Sequence, residues 1–557
     1  IDAVFGDITY TKPGTYSYRI SERDPGADKK LGVSYSYAGY TVTVTVVDDG
    51  GKLKATPVME RVRDDKGTEL ENPAKITDNN AVFTNVYEAD SETVDVEASK
   101  AFTDHTGNRT LKNGEYTFRV TPITEGAPLP GGRTDYLETT NNGTGVKFDS
   151  ITFDAKDFAG VTEDSAKIYQ YKMEEVLPAG VSRDNPVKDG VTYDTTTYII
   201  QLKVYLKDVD GKATVVVDKT YMDANEKPIQ QVPIFRNSYT ADPVTLTGNT
   251  ALHGEKTLNG RDMLADETFD FTLTPANDAT TKAIADGVIT IANGGDSAQV
   301  KGGKNDTAAG FQFGDMKFTK TGTYIFNIDE TVPETPAGGM TYDNHTTRVT
   351  IVVTDDADHP GKLKAEVTYD NRTADSATDR AVFKNKYEAS FSYHTTGGLL
   401  VEKVLNGRTM KQGEFGFTIE AQGDAPAVSR DDAAFTNPQQ SASGEADSMQ
   451  KLLGLHFDQD DAGRTFTYLV KEDKGSAKGV TYDETRFLVA IKVMDKGDGT
   501  LYTITTITPQ TKGDDGTYMN GTAKEFNSAT DPDNKPALRF TNTYEAGEAA
   551  PVRVTDG

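Results

Sequence analysis

The sequence predicts an all-β protein built as a tandem array of β-sandwich domains, and three observations lead to this prediction. Runs rich in β-branched residues alternate at period two, as in residues 40–47 and 348–353, which is typical of half-buried strands. Clusters of Asp and Gly follow these runs, as expected of hairpin turns. Helical periodicity is hard to find anywhere, so we expect short strands to form the whole fold.

The chain repeats itself at the scale of a whole domain. An asparagine two residues after a phenylalanine and two residues before a tyrosine occurs at positions 85, 237, 385 and 542, at intervals of 152, 148 and 157 residues. These intervals are too long for a solenoid unit and suit a complete domain. We predict a partial repeat over residues 1–89, complete repeats over 90–240, 241–388 and 389–546, and a linker or tail over 547–557.

Composition excludes several classes of function. The 86 acidic and 59 basic residues give a net charge of -27, which would repel the phosphates of a nucleic acid. The absence of cysteine excludes disulfides, thiol nucleophiles and cysteine-ligated metals. The six histidines are scattered singly, which argues against a histidine metal centre. We therefore expect no metal and no cofactor, and we interpret the Asp–Gly clusters as hairpin turns because none continues into a calcium-binding loop closed by Glu.

The ends of the chain carry no targeting signal that the sequence reveals. Residues 1–30 lack a charged segment followed by an apolar run, and no stretch of 18 apolar residues exists anywhere. We expect the chain to be a fragment, or a mature chain whose targeting signals lay elsewhere.

Each complete repeat carries three polar side chains on strand faces that are otherwise apolar. Period-two alternation places a lysine, a glutamate and an asparagine beside aromatic and aliphatic residues on the same face of three separate strands. The sets are Lys100, Glu175 and Asn237; Lys256, Glu330 and Asn385; and Lys403, Glu472 and Asn542. The partial repeat carries Glu22 and Asn85, and its lysine would precede residue 1.

Three interpretations of these polar residues are open. They could be strand-end residues that point to solvent, although their recurrence in register with aromatic neighbours argues against this. They could form a buried Lys–Glu ion pair, with Asn completing the hydrogen bonds, because a buried charge is costly unless paired. In the third interpretation, desolvation leaves the amine neutral and the acid protonated, so that lysine attacks the asparagine amide and ammonia leaves. Glutamate would then hydrogen-bond the amide oxygen and carry protons, and the product is an isopeptide bond formed once, without enzymatic turnover.

Three recurring strings resemble a known family. They are Phe-Thr-Asn-x-Tyr at residues 83–87 and 540–544, Gly-Thr-Tyr-x-Tyr-x-Ile-x-Glu at 14–22, and Gly-Val-Thr-Tyr-Asp at 190–194 and 479–483. Together they resemble the streptococcal-type pilin isopeptide-linkage domains of Gram-positive pili and surface adhesins. The resemblance implies Ig-like, CnaB-like sandwiches with the lysine on the first strand, the asparagine on the last, and a glutamate that promotes their bond.

The resemblance implies one bond in each complete repeat. The pairs are Lys100–Asn237 with Glu175, Lys256–Asn385 with Glu330, and Lys403–Asn542 with Glu472. The first complete repeat departs from the pattern, because Arg236 replaces the usual Thr and Glu174 stands beside Glu175.

The implied function is a structural stalk of a Gram-positive cell-surface adhesin or pilus-like protein. We expect it to be extracellular, anchored to the cell wall through a region outside this chain, and either a monomeric rod or part of a longer array. In an alternative, loops of the repeats bind a host glycan or matrix protein, with Gly126–Gly145 and Ala421–Gln450 as the candidate segments. A secreted hydrolase is the weakest alternative, because catalytic carboxylates need occur only once in a chain.

Overall fold

A computed structural model describes residues 3–107, 109–210, 212–303, 307–372, 377–393 and 398–554. The chain divides into two compact units. The first contains Ile1–Pro243, Thr319–Thr321 and Thr354–Lys364, and the second contains Val244–Phe318, Gly322–Val353 and Ala365–Gly557. This division into two units does not separate the four predicted repeats, so the repeat boundaries stay predictions.

The first unit begins with a small antiparallel sheet. Its strands are β1 (Gly14–Ser21), β2 (Val33–Ser34), β3 (Gly39–Asp49), β4 (Lys52–Arg63), β5 (Glu69–Ile76) and β6 (Val86–Tyr87). The sheet has the order β1-β3-β4-β5, and β6 pairs separately with β2. The sequence predicted a strand face from Phe83 to Tyr87, but only the last two residues form one. Among the described residues this segment lacks the parallel neighbour that its equivalents have in the later repeats.

The rest of the first unit is dominated by one sheet of eleven strands. The strands of this region are β7 (Glu92–Val94), β8 (Glu97–Asp104), β9 (Thr117–Pro122), β10 (Leu137–Asn142), β11 (Gly145–Lys147), β12 (Ile151–Phe153), β13 (Lys167–Glu175), β14 (Val187–Lys188), β15 (Val191–Thr192), β16 (Thr197–Val209), β17 (Lys212–Met222), β18 (Pro228–Ile229) and β19 (Ile234–Tyr239), of which all but β7 and β12 belong to the large sheet. The order is β14-β15-β19-β8-β11-β10-β9-β13-β16-β17-β18, and β12 pairs with β7.

The second unit opens with three sheets and one helix. Its elements are β20 (Val244–Leu246), β21 (His253–Asn259), β22 (Thr268–Pro275), α1 (Asp278–Ala285), β23 (Ile289–Ile291), β24 (Ser297–Lys301), β25 (Ala308–Gln312), β26 (Met316–Phe318), β27 (Gly322–Glu330), β28 (Met340–Thr341), β29 (Thr346–Asp355), β30 (Leu363–Asp370) and β31 (Ala381–Tyr387). The sheets run β20-β26-β23, β25-β21-β31-β28 and β24-β22-β27-β29-β30. The segment Thr354–Lys364, which includes the end of β29 and the start of β30, belongs to the first unit.

The remaining elements of the second unit repeat this plan. They are β32 (Phe391–Ser392), β33 (Leu399–Asn406), β34 (Gly416–Gln422), α2 (Arg430–Ala433), β35 (Ala434–Thr436), β36 (Ala446–Lys451), β37 (His456–Phe457), β38 (Thr465–Glu472), β39 (Val480–Thr481), β40 (Arg486–Asp495), β41 (Leu501–Lys512), β42 (Tyr518–Asn520), β43 (Lys524–Asn527) and β44 (Ala537–Tyr544). The sheets run β32-β37, β36-β33-β44-β39 and β35-β34-β38-β40-β41-β42, and β43 pairs with β41.

One strand arrangement recurs and creates the core. The strand with the predicted lysine lies beside the strand with the predicted asparagine, and the two run parallel: β8 with β19, β21 with β31, and β33 with β44. The glutamate strands β27 and β38 belong to other sheets than these pairs, and β13 is distant from β8 and β19 within the eleven-stranded sheet. Strands dominate the described residues, apolar residues of these strands are buried, and the sheet plan recurs along the chain, so the all-β tandem sandwich is confirmed.

Helices were not predicted, and two short ones, α1 and α2, occur among the residues that the structure describes. In α1, Asn277 caps the first turn by accepting a hydrogen bond from the Thr280 backbone N–H at 2.8 Å, and Thr280 and Ala283 are buried. Eight residues are too few to display a clear helical periodicity, so the sequence pattern missed them. The 3-10 turns are Gly26–Asp28, Pro130–Gly132, Ala155–Phe158, Glu163–Ser165, Gly248–Thr250 and Gln459–Asp461.

Among the described residues, no helix is both long and apolar enough to cross a membrane.

Candidate functional site

The parallel strand pairs place lysine and asparagine in the same relative position in each complete repeat. Lys100 lies opposite Phe235 in the register, and Asn237 lies opposite Phe102. The lysine and the asparagine are therefore diagonal neighbours on one face, roughly 7–8 Å apart at their backbones, a distance that a lysine side chain can span. The same offset holds for Lys256 with Asn385 and for Lys403 with Asn542.

The glutamate bridges these two side chains from its own strand. In the first complete repeat, Lys100 Nζ donates to Glu175 Oε2 at 2.6 Å, and Asn237 Nδ2 donates to Glu175 Oε1 at 2.6 Å. Glu330 receives the corresponding bonds at 2.8 and 2.8 Å, and Glu472 receives them at 2.7 and 2.6 Å. The structure thus brings together every Lys–Glu–Asn set that the sequence singled out.

Burial makes the charged forms of both ionisable groups unfavourable. The side chains of Lys100, Lys256, Glu175 and Glu330 are fully buried, as is Lys403. Desolvation lowers the pKa of each lysine below its usual value, although the neighbouring glutamate partly opposes the shift. Desolvation raises the pKa of each glutamate, against the attraction of the lysine. Both shifts favour the neutral pair of amine and carboxylic acid over the ion pair.

Aromatic rings enclose the amines. Lys100 Nζ lies 4.3 Å from the ring centre of Tyr116, Lys256 Nζ lies 5.0 Å from that of Phe269, and Lys403 Nζ lies 4.6 Å from that of Phe415. These rings exclude water from the amine and so supply much of its desolvation.

The asparagine amide is held at its oxygen by a group that sequence reasoning missed. The backbone N–H of Asp194 donates to Asn237 Oδ1 at 2.7 Å, and Asp343 and Asp483 do the same for the other two asparagines at 2.7 Å. The Asp carboxylate in turn accepts a backbone N–H next to the asparagine, for example that of Lys384 at 2.8 Å from Asp343 Oδ2. The aspartate ends the recurring Gly-x-Thr-Tyr-Asp string, so its repetition was the signal available in the sequence.

This arrangement differs from one sequence expectation. The glutamate was expected to bond the amide oxygen, but it accepts from the amide nitrogen in all three repeats. The backbone N–H of the aspartate already occupies the oxygen. The carboxyl group therefore lies beside the nitrogen that would leave, and the backbone N–H faces the oxygen on which charge would develop.

The structure also shows where Glu174 and Arg236 lie, the two residues by which the first complete repeat departs from the motif pattern. Glu174 pairs at 2.9 Å with Lys172 and is only partly buried, whereas Glu175 reaches the lysine and the asparagine. Arg236 points outward and donates to the backbone carbonyl of Ile234 at 3.3 Å. Neither departure disturbs the site.

The partial repeat contains two of the three groups. Asn85 Nδ2 donates to Glu22 Oε1 at 2.8 Å, and the backbone N–H of Ser36 donates to Asn85 Oδ1 at 2.7 Å. Among the described residues, Glu22 Oε2 has no hydrogen-bond partner. In the complete repeats this second oxygen accepts the lysine.

Comparison with known proteins places the chain in a family. A family model described as the Spy0128-like isopeptide containing domain matches residues 2–88, 96–240, 252–388 and 399–545. The chain belongs to this family. The four matched segments each contain one of the glutamate–asparagine pairs described above.

Relatives of these isopeptide domains include streptococcal pilins. The pilin of Streptococcus pyogenes serotype M1 is 28% identical over 175 residues, which cover 30% of this chain and 46% of the relative. The chain thus spans about half the length of this curated relative. Among solved structures, the major pilin of Streptococcus pyogenes is 19% identical, with 53% of this chain and 98% of that chain covered and a TM-score of 0.20. The major pilin T-13 from serotype GAS131465 is 16% identical, with 55% and 100% covered and a TM-score of 0.19.

Proposed function

We propose that each complete repeat links its first strand to its last by a Lys–Asn isopeptide bond that forms without an external enzyme. The observation that supports this is the threefold recurrence of one buried cluster, with the same strand register and the same hydrogen bonds. The pairs are Lys100–Asn237, Lys256–Asn385 and Lys403–Asn542. A buried ion pair alone would not require an asparagine whose amide is oriented from both ends.

The reaction balances with the groups in the cluster. The neutral lysine Nζ attacks Cγ of the asparagine, and the amide oxygen takes up negative charge beside the backbone N–H of the aspartate. The protonated glutamate transfers its proton to Nδ2, which leaves as ammonia, and then takes a proton from Nζ, while the Nζ–Cγ bond remains. The glutamate ends in its starting form, but lysine and asparagine are consumed. The chain therefore reacts once per repeat and is not an enzyme.

The position of the bond gives it a mechanical role. Each lysine strand follows only one short strand of its repeat, and it runs parallel to the last strand. Tension between the two ends of a repeat therefore shears the linked strands against each other. Hydrogen bonds between the strands would carry that load in an unlinked domain. A covalent bond between the strands carries it instead and prevents the core from being pulled apart.

We infer that the chain is a structural stalk of a Gram-positive cell surface. Relatives named as pilins support this, as does the lengthwise repetition of one cross-linked domain. We propose that it is extracellular, belongs to a longer array, and reaches the cell wall through a region outside this chain. A stalk on the cell surface must resist mechanical force and proteolysis.

The segments suggested as ligand-binding loops contain regular structure. Gly126–Gly145 contains β10, which joins β9 to β11, and Ala421–Gln450 contains α2, β35 and most of β36. These segments complete sheets, so the structure offers no observation that favours the ligand-binding alternative.

Single-molecule stretching tests the mechanical role. Lys256 and Asn385 enclose 129 residues, which would release about 440 Å of chain if the repeat unfolded without a cross-link. We expect the unsubstituted chain to show none of these releases from its three complete repeats. Lys256→Ala should add one release of about 440 Å, whereas Lys282→Ala, which removes an exposed lysine of the same repeat, should add none. Full-length releases from the unsubstituted chain would contradict the proposal.

A further inference from the structure

The tyrosine that ends each last strand reaches beyond its own repeat. Tyr387 is buried, and its hydroxyl donates to Asp495 Oδ1 at 2.8 Å and accepts from the backbone N–H of Gly499 at 3.0 Å. Asp495 ends β40 and Gly499 lies in the turn between β40 and β41, both in the next matched domain. All of these atoms belong to the second compact unit.

The ring of the same tyrosine is held by its own repeat. The guanidinium of Arg261 lies 4.2 Å from the centre of the Tyr387 ring and pairs with Glu267 at 3.0 Å. Arg261 lies two residues after the end of β21, the strand that carries Lys256. One side chain thus connects the end of the proposed cross-linked strand pair with the following domain.

The chain between these domains is hydrogen-bonded to both of them. The Glu388 N–H donates to the Gly339 carbonyl at 2.9 Å, and the Leu501 N–H donates to the Ser390 carbonyl at 3.1 Å. Ser390 also forms a parallel bridge with Thr500. The start of the linker is therefore held by hydrogen bonds at Glu388 and Ser390.

Glycines allow the two backbones to approach closely at this point. A Cβ atom on Gly338 would lie 2.1 Å from the carbonyl oxygen of Asp498, and one on Gly339 would lie 2.6 Å from Cα of Gly499. No side chain fits there without movement of the backbone. The close approach of the two backbones therefore requires glycine at positions 338 and 339.

The same contacts occur within the first compact unit, with one informative difference. The Tyr239 hydroxyl donates to Asp355 Oδ1 at 2.6 Å, but the Tyr87 hydroxyl donates to the backbone carbonyl of Ala155 at 2.8 Å. Asp355 and Asp495 each lie twelve residues after the aspartate of the Gly-x-Thr-Tyr-Asp string, and Leu206 occupies that position after Asp194. Where Leu206 stands in place of the aspartate, the tyrosine hydroxyl of the preceding repeat thus donates to a backbone carbonyl instead.

We propose that the last-strand tyrosine and the following turn form a docking joint between consecutive repeats. For Tyr239 and Tyr387 the partner is a β-hairpin turn that carries an aspartate at its start and glycine at the point of close approach. For Tyr87 the partner is the backbone carbonyl of Ala155. The joint fixes each domain against the next and transfers load through packed surfaces as well as through the linker. It does not depend on the Lys–Asn bonds.

The test measures the distance between two domains while the joint is weakened. The natural chain has no cysteine, so Asn293→Cys and Lys478→Cys give two exposed, unique positions for spin labels. Distances are measured by pulsed electron resonance in the full chain. Tyr387→Phe removes the hydroxyl, and Gly338→Ala introduces the Cβ that meets Asp498.

We expect either substitution to broaden the distance distribution at least twofold. The matched control is Gly454→Ala, because a Cβ atom on Gly454 meets nothing within 4 Å, and it should leave the width unchanged. An unchanged width in both Tyr387→Phe and Gly338→Ala would overturn the joint. Tyr387→Phe keeps the test decisive if Gly338→Ala does not fold. The intact mass of each variant reports the Lys–Asn bonds separately, so failure of one proposal is distinguishable from failure of the other.

Discussion

Replacing Glu330 by alanine should leave Lys256 and Asn385 unlinked. The glutamate oxygens contact both the amine and the amide nitrogen, at 2.8 and 2.8 Å, so the glutamate is placed to pass a proton between them. The variant should therefore retain one ammonia that the unsubstituted chain loses, a gain of about 17 Da beyond the change of residue.

The loss of the bond should lower the stability of that repeat by an amount set by loop length. Closing a loop of 129 residues stabilises a domain by about 5 kcal/mol in the chain-entropy description. The predicted repeat over residues 241–388 has 148 residues and an unfolding entropy of about 0.3 kcal/mol per kelvin, so its melting temperature should fall by about 15 °C. Glu330→Ala also leaves a buried amine unpaired, which adds to the fall.

The assay combines intact mass with calorimetry on the same sample. Glu330→Gln keeps the shape of the side chain and separates the loss of proton transfer from the loss of packing, and Glu334→Gln changes an exposed acid of the same repeat as a control. A Glu330→Ala protein that still lacks the ammonia would refute the role of the glutamate. Retained ammonia with an unchanged melting temperature would refute the stability argument.

Three further predictions concern other parts of the site. Asn385→Ala should reduce the mass deficit by one ammonia. Asn85→Ala should leave the deficit unchanged, because Glu22 Oε2 has no lysine partner among the described residues. Equal changes in the intact mass of the two variants would contradict this. Burial would raise the pKa of Asp343, but hydrogen bonds from Lys384 N–H and His345 outweigh it and lower the pKa below 3.8. The resulting stabilisation is present above the unfolded pKa and is lost as pH falls through the folded value, so Asp343→Asn should cost about 1–3 kcal/mol at pH 7 and progressively less below pH 3.8 in denaturant titrations. A chelator should leave the melting temperature unchanged, since no group of metal-ligating side chains is found in the described part of the chain, and a fall in melting temperature would reveal a bound metal.

Much of the site could be predicted because strand alternation is strict. Once Asn237 lay between Phe235 and Tyr239 on one face, it had to point into the core, and the same reasoning placed Lys100 and Glu175. The recurrence of these residues then showed that three separate strands contribute to one cluster. The all-β fold followed from the same alternation.

The remaining features depend on contacts that no local pattern encodes. The recurring Gly-x-Thr-Tyr-Asp string marks Asp343, but the group that holds the amide oxygen is its backbone N–H, and the residue type does not reveal that contact. The joint at Tyr387 depends on Arg261 and on a turn more than a hundred residues away. The strand at Val86–Tyr87 is short because, among the described residues, it has no parallel neighbour. The motif alone does not reveal whether that neighbour is present.

The most direct test of the central claim is the intact mass of the unsubstituted protein under denaturing conditions. The account predicts a mass below that of the sequence by three ammonia molecules, about 51 Da. Digestion should then yield branched peptides that join Lys100 to Asn237, Lys256 to Asn385 and Lys403 to Asn542. A mass equal to that of the unmodified sequence would contradict the account.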